Sequence, residues 1–222
     1  MLKISLDKIQ SLFATIAKNA KLYLPVDNAD GSATYGEWSE GVEWSGALNT
    51  AKSPKDFFFP QTEDLMRFKT EGKNIEIIDV RKESEDFVIF GVRACDVKSF
   101  EILDRVFLSA PVDTFYAARR EHGVIVSVAC TKPSETCFCG AFGINAAEPA
   151  GDVSAWKTET EIFFEANTQK GEDFLNKISS LTEECDDTLV ANQKEAINKI
   201  MDKLPLKDLT TDSFGGGKTA EL

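Results

Sequence analysis

Histidine is almost missing from this chain: His122 is the single one. A Ser-His-Asp or Cys-His mechanism and a histidine-rich zinc site therefore lack their usual material. Long apolar runs are missing too. No stretch of eighteen apolar residues occurs, so no membrane span is expected. The start, Met1 to Lys8, is charged throughout and has no apolar h-region or small-residue cleavage site; a cytoplasmic protein is expected. Cations are scarce, with a net charge of -12. Such a surface repels phosphate backbones and argues against a nucleic-acid partner. No Gly-x-Gly-x-x-Gly follows any strand-like run, which removes the usual dinucleotide fingerprint. Gly217-Lys218-Thr219 suggests a phosphate loop, but the glycine that motif needs five residues earlier is Asp212. That reading is rejected in favour of a flexible linker.

What remains suffices for a core. Apolar residues make up 42% of 222, close to the globular norm. The division expected is one domain over 1–204 and a polar, glycine-rich tail over 205–222. Residues 6–19 carry Leu6, Ile9, Leu12, Phe13 and Ile16 on one helical face, with Ser5 as N-cap. Leu22–Val26, Thr34–Trp38 and Gly41–Trp44 read as strands. Residues 45–60 read as loop, and Gln61–Lys69 as a short helix with Leu65, Met66 and Phe68 inward. Ile75–Val80 and Phe87–Val92 read as a hairpin or as two sheet strands. Helices are expected after Cys95, over Val112–Glu121, over Glu172–Leu181 and over Asp187–Leu204, with strands at 124–129 and Glu161–Ala166. Strands alternating with helices predict a mixed α/β domain: a sheet with flanking helices and a cysteine-rich loop after a core strand. Phe57, Phe58 and Phe59 cannot all face one core; burial is the plain expectation, and covering a cofactor or docking a partner the alternative.

The chemistry concentrates in cysteine. Five are present, and an odd number in a reducing compartment points to metal or redox work rather than disulfides. Three fall in one loop of Cys-x6-Cys-x-Cys form, Cys130, Cys137 and Cys139, after the apolar run Val124–Ala129. Cys95 follows a second such run, Phe87–Val92, at the start of a helix. Backbone N–H groups and the helix dipole favour a thiolate there. Four thiols suit an iron–sulfur cluster, one per iron. They also suit structural zinc, although paired knuckles are absent. Buried, unliganded cysteines are the third reading, and two thiols one residue apart in a Gly/Pro loop fit it poorly. Phe138 would exclude water, and Arg93, Lys98 and Lys132 would offset negative charge. Cys185, among Glu183, Glu184, Asp186 and Asp187, is left as a bystander. His122 is expected to cap or to lie at the surface. No carboxylate pair is placed for acid–base catalysis, so no catalytic residue is named.

Three segments carry a family resemblance: Lys55–Leu65, Gly91–Asp104 and Cys130–Gly143. With them the chain resembles the iron–sulfur beta subunit family of cytoplasmic nickel–iron sulfhydrogenases, a group to which one of the subunits of anaerobic sulfite reductase also belongs. In that family this region precedes a ferredoxin-like part with two further cysteine-rich motifs, which this sequence lacks. The resemblance implies that the chain passes electrons between a flavin- or NAD(P)-handling subunit and a catalytic subunit of a redox complex. It implies a 4Fe-4S cluster on Cys95, Cys130, Cys137 and Cys139, and no bond-making chemistry of the chain's own. The rival expectations are a zinc-stabilised structural or assembly subunit, and a flavin- or nucleotide-binding enzyme with a reactive Cys95.

Overall fold

Two strongly apolar runs build the centre of the fold. Phe87–Val92 (β6) and Gly123–Val128 (β7) are mostly buried on both faces and pair in parallel, as expected of strands covered by helices on both sides. The computed structural model describes residues 1–210. The Gly217–Thr219 motif, and the expected tail from 211 onward, lie outside the described residues. The earlier strands are Leu2–Ser5 (β1), Lys21–Asp27 (β2), Ala33–Glu37 (β3), Arg67–Glu71 (β4) and Asn74–Ile78 (β5); Val153–Lys157 (β8), Glu161–Ala166 (β9) and Glu183–Glu184 (β10) follow. The helices are Ile9–Ala17 (α1), Ala94–Phe107 (α2), Thr114–His122 (α3), Gln169–Ile178 (α4) and Thr188–Met201 (α5).

Eight strands form one mixed sheet in the order β10-β1-β9-β8-β7-β6-β2-β3. Its middle, β2, β6, β7 and β8, is parallel, and the strands toward both edges are antiparallel. Side chains alternate across the sheet with the two-residue period of a strand. Val88, Phe90 and Val126 face α1 and α4, meeting Leu12, Phe13, Phe174 and Ile178. Ile89 and Ile125 face the other way, toward Phe58, Val97, Phe100 and Tyr116 on the α2 and α3 side. Further along that second face, Trp156 and Phe163 meet Val190 and Ile197 of α5. Asp113 caps α3 by accepting from the backbone N–H groups of Phe115 and Tyr116, and Thr168 caps α4 by accepting from Gly171, satisfying donors that the first turn leaves open.

Several expectations need correction. Gln61–Lys69 is not a helix. Its end enters β4, which pairs only with β5 in a separate two-stranded hairpin. Leu65, Met66 and Phe68 point to solvent, at 63%, 62% and 70% exposure. Ile75–Val80 accordingly pairs with β4 rather than with β6. Gly41–Trp44 is irregular, because Trp44 leaves the sheet edge to meet Phe90 edge-on at 5.1 Å. Strands β1, β8 and β10 lie outside the strands expected from the sequence. Of the three phenylalanines, Phe58 is fully buried, Phe57 half-buried, and Phe59 lies at the surface stacked on Phe107 at 4.7 Å.

Candidate metal centre

The two apolar strands that carry the sheet's centre end side by side. The chain leaves β6 through Arg93 into α2, and leaves β7 through Ala129 into the cysteine loop. Cys95 and Cys130 therefore project from neighbouring carboxyl ends of parallel strands, where α/β sheets hold their ligands. A bulge sets the exit of β6. Register shifts between Phe90 and Val92, and Gly91 between them has φ +84°. A Cβ there would lie 3.1 Å from both Pro25 Cδ and Trp44 Nε1, so glycine is required by backbone and space alike.

All four thiols expected to act together are half-buried, free and in one neighbourhood. Cys95 lies beside Cys139, and that neighbour first, then burial, pushes its thiol pKa up. The same contact lowers Cys139 to about 7 against the upward push of burial. Cys130 is raised, first by burial, although Arg93 and the backbone N–H of Lys132 pull the other way, and the charges of Cys137 and Cys95 add to the rise. Cys137 Sγ accepts the backbone N–H of Ser134 at 3.2 Å. Cys139 opens a short 3-10 turn to Phe142 that ends at Gly143 in the left-handed region, φ +64°.

Arg93 stands between Cys95 and Cys130 and feels the charge of both. Of the other cations expected to balance charge, Lys98 is engaged by Glu101 at 2.7 Å, while Lys132 shares a cleft with Cys130. Phe138 does not form a buried lid; it is 46% exposed and packs on Phe142 at 5.8 Å between ring centres. Cys185 packs against the cluster of Trp156 and Phe163, as Cys130 does, but its charged neighbours are the N-terminus, Lys3, Asp186 and Glu161 rather than the other thiols. His122 is held by Asp86, Nδ1 to Oδ1 2.7 Å, at the opposite ends of the strands. Among the described residues no group of three or more His, Cys, Asp or Glu closes into a site for a single metal ion. The sulfurs adjoin without converging on one point. The donor set still fits an iron–sulfur group: four soft thiols, two of them taking backbone N–H bonds and two beside the Arg93 guanidinium.

One part of the surroundings has no counterpart in the sequence reading. A cleft of about 620 Å³ opens beside Cys130 and Arg93, walled by Tyr35, Trp44 and Lys157. Its residues come from six separate stretches of chain, so no local pattern announces it.

No family model and no solved structure matches the chain. A curated relative does: sulfhydrogenase 2 subunit beta of Pyrococcus furiosus, 29% identical over 172 residues, which is 74% of this chain and 50% of the relative. The chain spans about half the length of that relative. No helix among the described residues is long and apolar enough to cross a membrane. With its cysteine segments and this match together, the chain is similar to the beta subunit of a sulfhydrogenase.

Proposed function

We propose that the chain is an electron-transfer subunit, or part of one, in a multi-subunit oxidoreductase of hydrogenase type, and that Cys95, Cys130, Cys137 and Cys139 hold a 4Fe-4S cluster. The observation that carries this reading is the Cys95–Cys139 contact. A thiol from the start of α2 meets a loop far along the chain, and burying thiols together without disulfides has little structural benefit of its own. When bound, such a group accepts and returns one electron at a time.

The chain's residues supply the rest. Backbone N–H groups of Lys132 and Ser134 favour the thiolate forms of Cys130 and Cys137, and hydrogen bonds to sulfur raise a cluster's potential. Arg93 supplies a half-buried positive charge that offsets the thiolates. Ala129 and Val128, both buried, close the protein side of the site. Phe138 and Phe142 leave an apolar surface at the outer side of the loop, the side a redox partner would approach. This role requires two partners, one that catalyses and one that handles flavin or NAD(P), and a cytoplasmic location suits it.

Anaerobic metal analysis beside Cys137→Ser and Cys139→Ser tests the assignment. Wild type should bind about four iron atoms and absorb broadly in the blue-violet, and each variant should lose most of both. A colourless wild type carrying one zinc would instead establish the structural-metal alternative.

A further inference from the structure

We propose that the cleft beside the cysteine loop binds a phosphate ester of mononucleotide size, with the phosphate on Arg93 and Lys132. The cleft's volume, about 620 Å³, lies within the range of small-molecule sites. It opens at the carboxyl ends of β6, β7 and β8, the end of a parallel sheet where α/β proteins receive ligands. The glycine bulge at Gly91 lies in its lining, and bulges collect next to functional sites.

Charge selects the class of ligand. Over the whole chain acids outnumber bases, 37 to 25. The cleft reverses that balance: Arg93, Lys132 and Lys157 line it against Asp96 and Glu159. Asp96 is partly committed, since it accepts from Ser53 Oγ at 3.1 Å. Among the described residues the Arg93 guanidinium makes no hydrogen bond; its nearest carboxylate oxygen, on Asp96, is 3.6 Å away. Its side chain is only 24% exposed. A half-buried planar fork of donors without a hydrogen-bonded acceptor is free to take a ligand. Its geometry matches the paired oxygens of a phosphate. Behind the cations, Val128, Ala129 and the Trp44 indole supply an apolar wall for an organic body. Lys157 already lies over the Trp44 ring, Nζ 4.5 Å from its centre. That leaves Arg93 and Lys132 for the phosphate.

Because Arg93 also faces Cys95 and Cys130, an anion on it would lie next to the cysteine site. Binding in the cleft does not require the cluster reading, and the two are separable by measuring binding on metal-free protein.

The test is calorimetric titration of the metal-free full chain with flavin mononucleotide and with AMP, beside riboflavin, adenosine and inorganic phosphate. At least one of the two phosphate esters should bind with a Kd below about 1 mM, at least tenfold tighter than its phosphate-free parent and than inorganic phosphate. Arg93→Gln should weaken it roughly tenfold or more. Lys132→Glu, at an exposed position that folding does not depend on, should weaken it several-fold. Thermal unfolding of both variants checks that they fold. Absence of binding by either ester overturns the proposal. So does equal binding of the phosphate-free parent, equal binding of inorganic phosphate, or unchanged affinity in a folded Lys132→Glu variant.

Discussion

The Cys95 thiol, on the first turn of α2, lies beside Cys139 in the loop that leaves β7. The contact depends on topology. Only because β6 and β7 are parallel neighbours do their exits open on the same edge of the sheet. The β6 bulge at Gly91 sets the last residue before the helix. Arg93 then acts as the extended N-cap position of α2, so one local backbone decision places both a cation and a thiol at the site.

Removing the distant thiol should therefore matter as much as removing one from the loop. Cys95→Ser is expected to lose most of the iron bound after anaerobic reconstitution, whereas Cys185→Ser, packed elsewhere against Trp156 and Phe163, keeps wild-type iron. Iron per chain, measured on both, decides the matter. Equal retention in the two variants would show that Cys95 is not a ligand.

A second expectation concerns α4. Replacing a helical glycine with alanine ordinarily stabilises by about 1 kcal/mol. At Gly171 the sign should reverse. A Cβ there would stand 2.0 Å from the backbone oxygen of Asp152, and that backbone is fixed: the Asp152 carboxylate accepts from Ile125 N at 2.9 Å and from Thr168 Oγ1 at 2.8 Å. Gly171→Ala should lower unfolding free energy by roughly 2 kcal/mol or more. Urea denaturation measures it, and a stabilised variant would mean that α4 can slide away from β8.

What is legible in the sequence follows the strength of local signals. Phe87–Val92 and Val124–Ala129 are strongly apolar runs, the second broken only by Ser127, and each announces its strand along with the thiol behind it. Strand β8 escapes notice because Ser154 and Ala155 dilute its apolar character; Ser154 is buried at 4% exposure only because its hydroxyl donates to the Pro149 carbonyl. Leu65, Met66 and Phe68 mislead because their spacing imitates a helix face. Nothing local reveals that the following residues pair with Asn74–Ile78 instead of covering the core. Trp44, Arg93 and Lys157, which wall the cleft, meet only through the tertiary fold, so the cleft has no sequence signature.

The hairpin of β4 and β5 should behave as a weakly attached unit. Phe68, Ile75 and Ile77 are each 70% exposed, Phe68 pairs with Ile77, and a lone two-stranded hairpin is marginal in water. Its amides should exchange with solvent far faster than those of β6 and β7. Phe68→Thr and Ile77→Thr should change stability by less than about 0.5 kcal/mol. Phe90→Ala, fully buried between Phe13 and Trp44, should cost about 3–5 kcal/mol. Protected hairpin amides would contradict this picture.

Part of the dependence of stability on pH should trace to a half-buried carboxylate between α2 and α3. Burial pushes the Asp104 pKa up, but the hydrogen bonds from Arg120 and Tyr116 prevail, and the group is held below the ordinary carboxylate value. Those bonds run from Arg120 Nε at 2.8 Å, Arg120 Nη2 at 2.9 Å and the Tyr116 hydroxyl at 2.6 Å. A depressed carboxylate contributes stability above its unfolded pKa of about 3.9. That stability disappears as pH falls through the lower folded value. Tyr116 acts at the other end. Burial first, then the hydrogen bond to Asp104 and its charge, raise its pKa, so its contribution is complete below about pH 10 and lost above. Asp104→Asn should destabilise the protein at pH 7 by roughly 2 kcal/mol, since it leaves Arg120 without its counter-charge. The same variant should flatten the loss of stability below about pH 4. Tyr116→Phe should leave much of the acid limb and remove its share of the alkaline one. Denaturation midpoints from pH 2 to 11 separate the two contributions, and an unchanged acid limb in Asp104→Asn would place the titrating carboxylate elsewhere.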